Sequence, residues 1–141
     1  MVIAEQEKDW NTQVIEEFRA NAGRVGGEAE DRPMLLLHHI GAKSRTERVT
    51  PLVYQAVDGS YAIFASNAGR DTHPAWYYNL VTHPNVTIEV GSAKFVMTAR
   101  VTDDEERALI WARQKEQWSN FADYEAGTSR QIPVLLLEPT T

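Results

Sequence analysis

Residues 49–66, VTPLVYQAVDGSYAIFAS, contain two apolar segments that meet at Asp58-Gly59. Both segments are rich in β-branched and aromatic residues, which favour strands. An Asp-Gly pair favours a tight hairpin turn, because its glycine readily accepts positive φ. The stretch therefore predicts a β-hairpin with strands at residues 49–57 and 60–66.

Further strands are predicted on both sides of this hairpin. Residues 85–90 and 93–101 form a second hairpin about Gly91-Ser92, and residues 34–40 (MLLLHHI) and 132–138 (IPVLLLE) are short apolar runs typical of buried strands. Helices are expected between them. The first carries Trp10, Val14 and Phe18 at a four-residue spacing, the second runs from Pro74 to about Val81, and the third follows a capping box formed by Thr102 and Glu105 and runs to about Trp118.

This element order predicts an α+β protein that is mainly β. About six strands joined mostly by hairpins, with helices inserted between them, favour an antiparallel barrel with peripheral helices. We expect one structural domain, in which residues 1–27 form a helix and connection that cap a pocket and residues 28–141 form the barrel.

Composition excludes several classes of function. The 141 residues include no cysteine, so disulfides, thiolate metal sites and cysteine nucleophiles are ruled out. The net charge of −6 argues against binding nucleic acid through a general basic face. His38 and His39 are adjacent on a predicted strand and point to opposite faces, so we expect no metal site. Neither a signal peptide nor a membrane span is predicted, which suits the cytoplasm.

The loop at residues 41–48, GAKSRTER, concentrates positive charge in an acidic chain. Lys43, Arg45 and Arg48 lie within six residues and are opposed only by Glu47. A loop that brings Lys43 and Arg48 together can hold one phosphate, with its backbone N–H groups assisting. A solvated charged loop with no ligand is the alternative.

Residues 66–80, SNAGRDTHPAWYYNL, form the second candidate segment. Small residues at its start let a planar ligand approach the backbone closely, and Trp76 and Tyr77 could stack on a flat ring. The alternative is that these aromatics are the packing face of a short helix. Phe121 and Tyr124, with Trp118 before them, could similarly roof an apolar pocket or belong to the core.

Four segments in this order resemble the deazaflavin-dependent nitroreductase family: GAKSRTERVTPLVY, ASNAGRDTHPAWYYNLVTHPNVTIEV, ARVTDDEERALIWA and FADYEAGTSRQIPVLLLEP. The likeness covers residues 33–139. It implies a split β-barrel of the flavin-reductase type that binds coenzyme F-420. It also implies that the reduced coenzyme passes a hydride to a nitroaromatic, quinone or enone.

The resemblance also implies site residues. Lys43 and Arg48 match residues that hold the cofactor phosphate, and Tyr124 and Ser66 are candidates to stabilise charge on the acceptor oxygen. Cofactor-binding residues are expected at Lys43, Ser44, Arg48, Val49, Thr50, Pro51, Ser66, Asn67, Ala68, Ala75, Trp76, Tyr77 and Asn79. Substrate-binding residues are expected at Trp10, Tyr54, Trp118, Phe121 and Tyr124.

The chain departs from the family pattern at two loops. Ala42 replaces an arginine and Arg45 a glycine in the basic loop, and Asn67-Ala68-Gly69 stands where Lys-Gly-Gly is usual. The path of the cofactor's oligoglutamate tail is therefore open.

Alternative functions also remain at this stage. The chain could be an FMN oxidoreductase of the same barrel class, or a non-catalytic flavin- or tetrapyrrole-binding protein. The expected partner is a small-molecule hydride acceptor. Peripheral contact with the inner face of a membrane, and a monomer or homodimer, are left open.

Overall fold

The computed structural model describes residues 2–23 and 33–140, with side chains described from residue 11 onward. A 3₁₀ turn at Asn67–Gly69 follows the third strand. The helices are α1 (Val2–Ala20), α2 (Ala75–Thr82), α3 (Asp104–Gln117) and α4 (Asn120–Ala126). The strands are β1 (Met34–Ile40), β2 (Glu47–Val57), β3 (Ser60–Phe64), β4 (Asn85–Val90), β5 (Ala93–Val101) and β6 (Val134–Pro139).

The strands close into one antiparallel barrel in the order β1-β2-β3-β6-β5-β4. Closure comes from β1, which pairs with β2 on one side and with β4 on the other. The hairpin between β2 and β3 turns at Asp58 and Gly59, which both have positive φ as a tight two-residue turn requires. The predicted mainly-β barrel with peripheral helices is confirmed.

The apolar runs of β1 and β6 are continuous because both faces of these strands are covered. On β1, Leu35 and Leu37 belong to the core inside the barrel, whereas Met34 and Leu36 pack outward against α1. The apolar faces of α3 and α4 cover β3 and β6 through Ile110, Trp111 and Phe121. Helix α2 instead packs Trp76 and Leu80 into the core inside the barrel. No helix within the described ranges is long and apolar enough to cross a bilayer.

Helix α1 is attached to the outside of the barrel through its last two turns. Val14 and Phe18 are buried against Met34 and Leu36, and Arg19 forms an ion pair of 2.8 Å with Glu89. Val14 and Phe18 thus pack behind two residues of the barrel wall, Met34 and Val53. That residues 1–27 cap a pocket stays a prediction. The side chain of Trp10, expected at the substrate site, lies outside the described residues.

Three local predictions differ from the structure. Arg48 is part of β2 and pairs with His39, so the basic loop ends at Thr46, two residues earlier than predicted. The capping box is formed by Asp103 and Glu106, because the Thr102 hydroxyl instead donates to the Val134 carbonyl.

The third difference is at residues 119–131. The predicted elements leave this stretch, between the third helix and the last strand, without regular structure, but it contains the helix α4. Tyr124 therefore stands on a helix and not on a loop.

Candidate functional site

A cavity of about 370 Å³ lies between β2, the loop after β3 and helix α4. This volume is within the range of small-molecule sites. Its lining consists of Met34, Thr50, Pro51, Leu52, Val53, Phe64, Ser66, Asn67, Ala68, Pro74, Trp76, Asn120, Phe121 and Tyr124.

The cavity brings together residues that the sequence placed in two separate groups. Six expected cofactor residues and two expected substrate residues face the same space, although they come from four elements far apart in the chain. The cofactor group comprises Thr50, Pro51, Ser66, Asn67, Ala68 and Trp76, and the substrate group comprises Phe121 and Tyr124.

The loop after β3 has an unusual backbone. Asn67, Ala68 and Gly69 follow one another with φ of 49°, 55° and 81°. A left-handed conformation costs about 1 kcal/mol or more at a non-glycine residue, and such strain concentrates at ligand sites. Gly69 allows close packing, since a Cβ there would lie 3.2 Å from the Cα of Tyr124. The loop and α4, two walls of the cavity, are thus in direct backbone contact.

The phenol of Tyr124 is oriented by its own helix. Asn120 lies one turn earlier, and its amide nitrogen donates to the Tyr124 hydroxyl oxygen at 3.2 Å. The ring packs edge-on against Phe121, with centroids 5.4 Å apart. Because the hydroxyl oxygen accepts from Asn120, its proton remains available for a group in the cavity.

The basic loop before β2 is folded back on itself and tied to α2. Arg45 N–H donates to the Gly41 carbonyl and Gly41 N–H to the Thr46 carbonyl, each at 2.9 Å. Ala42 N–H donates to Asn79 Oδ1 at 2.8 Å. Asn79 lies one turn after Trp76 on α2, so one helix connects the loop to the cavity.

The cations of this loop and of the start of β2 have exposed side chains: Lys43, Arg45 and Arg48. None of these three side chains forms a hydrogen bond or ion pair with another residue in ranges 11–23 and 33–140. Arg45 also has a left-handed backbone, with φ of 60°. Glycine adopts this conformation without strain, which accounts for the glycine that the resembled family has at this position.

Asn79 and His39 form a buried polar strut beneath the loop. The Nδ2 group of Asn79 donates to His39 Nδ1 at 2.9 Å. His39 therefore carries its proton on Nε2 and donates it to the Thr50 hydroxyl at 2.9 Å. Burial, with a smaller effect of Arg48 and then His38, lowers the pKa of His39 from 6.5 to about 4. The imidazole is neutral at pH 7, and Thr50 is fixed at the cavity wall.

Because His39 is buried in this strut, the free energy of unfolding should depend on pH in the mildly acidic range. The pKa of His39 is 6.5 when unfolded and about 4 when folded, so between these values the unfolded chain binds more protons. The free energy of unfolding should fall by about 2 kcal/mol as the pH drops from 7 to 4.5, because one pKa unit corresponds to about 1.4 kcal/mol.

Denaturant titrations of the wild type and of His39→Gln at the two pH values measure this effect. The variant should be less stable at pH 7 and should lose less stability on acidification. Equal losses in the two proteins would contradict the role given to His39. Glu89, whose pKa is lowered to about 2 mainly by its hydrogen bond from Arg19, titrates below this window.

No group of three or more histidine or acidic side chains that could hold a metal ion occurs in the part of the chain that the structure describes.

Residues 10–139 of the chain match the model of a known family, which is described as F420H(2)-dependent quinone reductase. The chain belongs to this family. The resemblance to deazaflavin-dependent reductases inferred from four sequence segments is thereby confirmed.

Members of the F420H(2)-dependent quinone reductase family are similar over most of their length. A quinone reductase of that name from Mycobacterium tuberculosis (strain H37Rv) is 38% identical over 124 residues, which is 85% of this chain and 83% of that protein. A solved structure titled as an F420-H2 dependent reductase, FDR-A, is 37% identical with a TM-score of 0.70, covering 80% of this chain and all of that one (100%).

Two other solved structures share the fold. One, described as a domain-swapped dimer, is 33% identical with a TM-score of 0.71 and covers 96% of this chain and 98% of its own. A heme storage protein from Vibrio cholerae, HutZ, is 17% identical with a TM-score of 0.59 over 90% of this chain and 88% of that protein. At that identity the likeness to HutZ shows the fold alone.

Several residues expected at the site of this family member lie elsewhere. Tyr77 packs against His73 and Tyr78, and Tyr54 packs edge-on against Tyr61 beside the core inside the barrel. Neither tyrosine lines the cavity.

Other expected residues also lie off the cavity wall. Trp118 packs beside the cluster of α3 and α4, Val49 beside that of α1, and Ala75 is exposed. Lys43, Ser44 and Arg48 belong to the basic loop and its adjoining strand, and the side chain of Asn79 is used by the strut.

Sequence reasoning missed part of the lining. Met34, Val53 and Phe64 are on the outer faces of their strands. On β2, a period of two would have placed Val53 with Pro51, had the pocket been expected outside the barrel. Asn120 carried no signal, because its role depends on α4 being a helix.

Proposed function

We propose that this protein binds coenzyme F-420 between the basic loop and the cavity and transfers a hydride from its reduced form to a quinone. The observation that carries the proposal is the arrangement about α2. At one end of this helix, Asn79 fixes the basic loop, whose cations Lys43 and Arg45 have no side-chain partner among the described residues. The other end carries Trp76 into the cavity.

The chemistry of the site fits a long, anionic, partly planar ligand. Lys43 and Arg48 would hold the phosphate through charge-assisted hydrogen bonds. Thr50, Pro51 and the backbone of residues 66–68 would flank the ring system, since small side chains at Ser66 and Ala68 allow close approach. The ring edge would then face α4.

The remaining lining suits an apolar acceptor. Apolar surface in the cavity is provided by Met34, Val53, Phe64 and Phe121. Such surface favours a quinone ring over a charged substrate. A nitroaromatic or enone acceptor would meet the same walls.

The bound reduced deazaflavin supplies a hydride. The chain therefore has to orient the cofactor and the acceptor, exclude water, and stabilise the charge that develops on the acceptor oxygen. Tyr124 would donate its hydroxyl proton towards the acceptor oxygen, because Asn120 already occupies the phenol oxygen as a donor. Ser66, on the loop after β3, is the second candidate donor. Trp76 and Phe121 would keep water from the reacting atoms.

The proposal is tested by the choice of cofactor. F-420 should bind with micromolar or tighter affinity, corresponding to roughly −8 kcal/mol, and FMN at least tenfold more weakly. Titration of both cofactors while tryptophan fluorescence is followed measures this difference, and Trp76→Phe identifies the signal that comes from the cavity.

Equal or tighter binding of FMN would instead assign the chain to the FMN oxidoreductases. Binding of F-420 without steady-state turnover of any quinone would favour a carrier protein. Turnover with the reduced cofactor and a quinone, at a rate proportional to enzyme, contradicts that alternative.

A further inference from the structure

Arg130, in the segment before β6, has an unusual set of partners. Its guanidinium donates to the carbonyls of Ala65, Ser66 and Arg70 at 3.1, 2.9 and 2.9 Å. It also donates to His73 Nδ1 at 2.8 Å. No carboxylate pairs with Arg130 within ranges 11–23 and 33–140. In an acidic protein, this arginine is held by backbone carbonyls and one imidazole.

The four acceptors surround the strained turn of the cavity wall. Two of them precede Asn67 and two follow Gly69, so the guanidinium bridges both ends of the left-handed segment. The planar guanidinium of arginine has several N–H groups in fixed directions and can bond to acceptors that lie on different sides of it. The ammonium group of a lysine cannot.

A second contact fixes the same loop from the same segment. The Thr128 hydroxyl donates to Asp71 Oδ1 at 2.9 Å. Residues 128–130 thus hold the loop after β3 at Asp71 and at both ends of its turn. Burial, and to a smaller extent Arg130, lowers the pKa of His73, which keeps Nδ1 free to accept.

We propose that Arg130 is a positioning residue for the cofactor: it bridges the two ends of the 66–70 turn and holds Ser66, Asn67 and Ala68 in the shape that receives the ring system. The inference rests on the proposed function, since it assigns that turn to the cofactor. Arg130 itself does not line the cavity and acts through the turn.

Arg130→Lys keeps the charge and removes the fork. Without the fork the left-handed turn is populated less, so the dissociation constant of F-420 should rise about 5–10-fold. At saturating cofactor, kcat should change less than about 3-fold, because the bound cofactor selects the native turn and with it the position of Ser66, and because Tyr124 and Asn120 are untouched. Exchange of the Gly69 and Arg70 amide protons, which bond to the Ser66 and Asn67 carbonyls, should be faster even without cofactor.

Arg100→Lys is the matched control. Arg100 also makes several hydrogen bonds, to Glu106 and Glu138, but away from the cavity. It should lower Tm without changing the dissociation constant or the exchange of Gly69. If Arg130→Lys behaves like Arg100→Lys, Arg130 has only a general structural role and the proposal is overturned.

Two further outcomes are also decisive. Should Arg130→Lys not fold, His73→Phe removes one acceptor while keeping ring packing against Tyr77, and a dissociation constant equal to that of the wild type would overturn the proposal. If the wild type itself binds no F-420, the proposed function fails, and the exchange of Gly69 and Arg70 still decides whether Arg130 holds the turn.

Discussion

Replacing Tyr124 with phenylalanine should lower kcat ~10–100-fold and leave the affinity for F-420 unchanged. The hydroxyl is the one polar group of this side chain, and Asn120 orients its oxygen. A donor that acts only on charge developing at the acceptor oxygen stabilises the transition state and not the bound cofactor. The loss corresponds to about 1.4–2.7 kcal/mol.

The measurement is steady-state kinetics at saturating cofactor, with quinone and nitroaromatic acceptors in parallel. Tyr124→Ala should mainly add a higher KM, because it also removes the ring that packs on Phe121. Tyr78→Phe is the control, since Tyr78 is exposed and lies outside the cavity. A Tyr124→Phe enzyme with wild-type kcat would show that water supplies the proton.

Replacing Arg48 with alanine should weaken F-420 binding by about 1.5–3 kcal/mol, which is roughly 10–150-fold in the dissociation constant. Arg48 is exposed at the start of β2 and has no acidic partner among the described residues, so the free protein loses little stability. Its charge-assisted hydrogen bond to the phosphate is the contact that the variant removes.

A deazaflavin fragment that lacks the phosphate distinguishes this role from a general electrostatic one. The fragment should bind the wild type and Arg48→Ala almost equally. Arg113→Ala, which removes an exposed arginine on α3, should leave the affinity for the intact cofactor unchanged. Equal losses for fragment and intact cofactor would place the phosphate elsewhere.

The barrel could be predicted because its determinants are local. The bounds of β1, β4 and β5 follow from apolar runs ended by turn residues, and the turn at Asp58-Gly59 follows from backbone preference. The prediction was wrong at the N-cap of α3, where two neighbouring residues are equally suitable and a tertiary contact decides between them. Thr102 and Asp103 are both good N-caps, and the Val134 carbonyl engages the first, leaving Asp103 as the cap.

The site could be predicted only in part. Eight of the residues that line the cavity were expected at the site, through their types, small beside aromatic, and through the family resemblance. Asn79 has the chemistry of a ligand-binding residue, but its side-chain amide forms hydrogen bonds to the Ala42 N–H and to His39 instead. Whether a polar side chain bonds to the protein or to a ligand depends on the fold, so it cannot be predicted from the residue type.

The closed barrel also has a consequence for folding kinetics. The hairpins β2–β3 and β4–β5 join neighbours in the chain, whereas the β1–β4 pairing joins Leu37 to Ile88, and the β3–β6 pairing joins Phe64 to Val134. Non-local pairings form late and slowly, over ms to s in proteins of this type. Helix α4 directly precedes β6, so Phe121 reaches Phe64 only when β6 pairs with β3. The ligand pocket is therefore among the last parts to assemble, and a newly made chain gains its binding capacity only when the barrel closes.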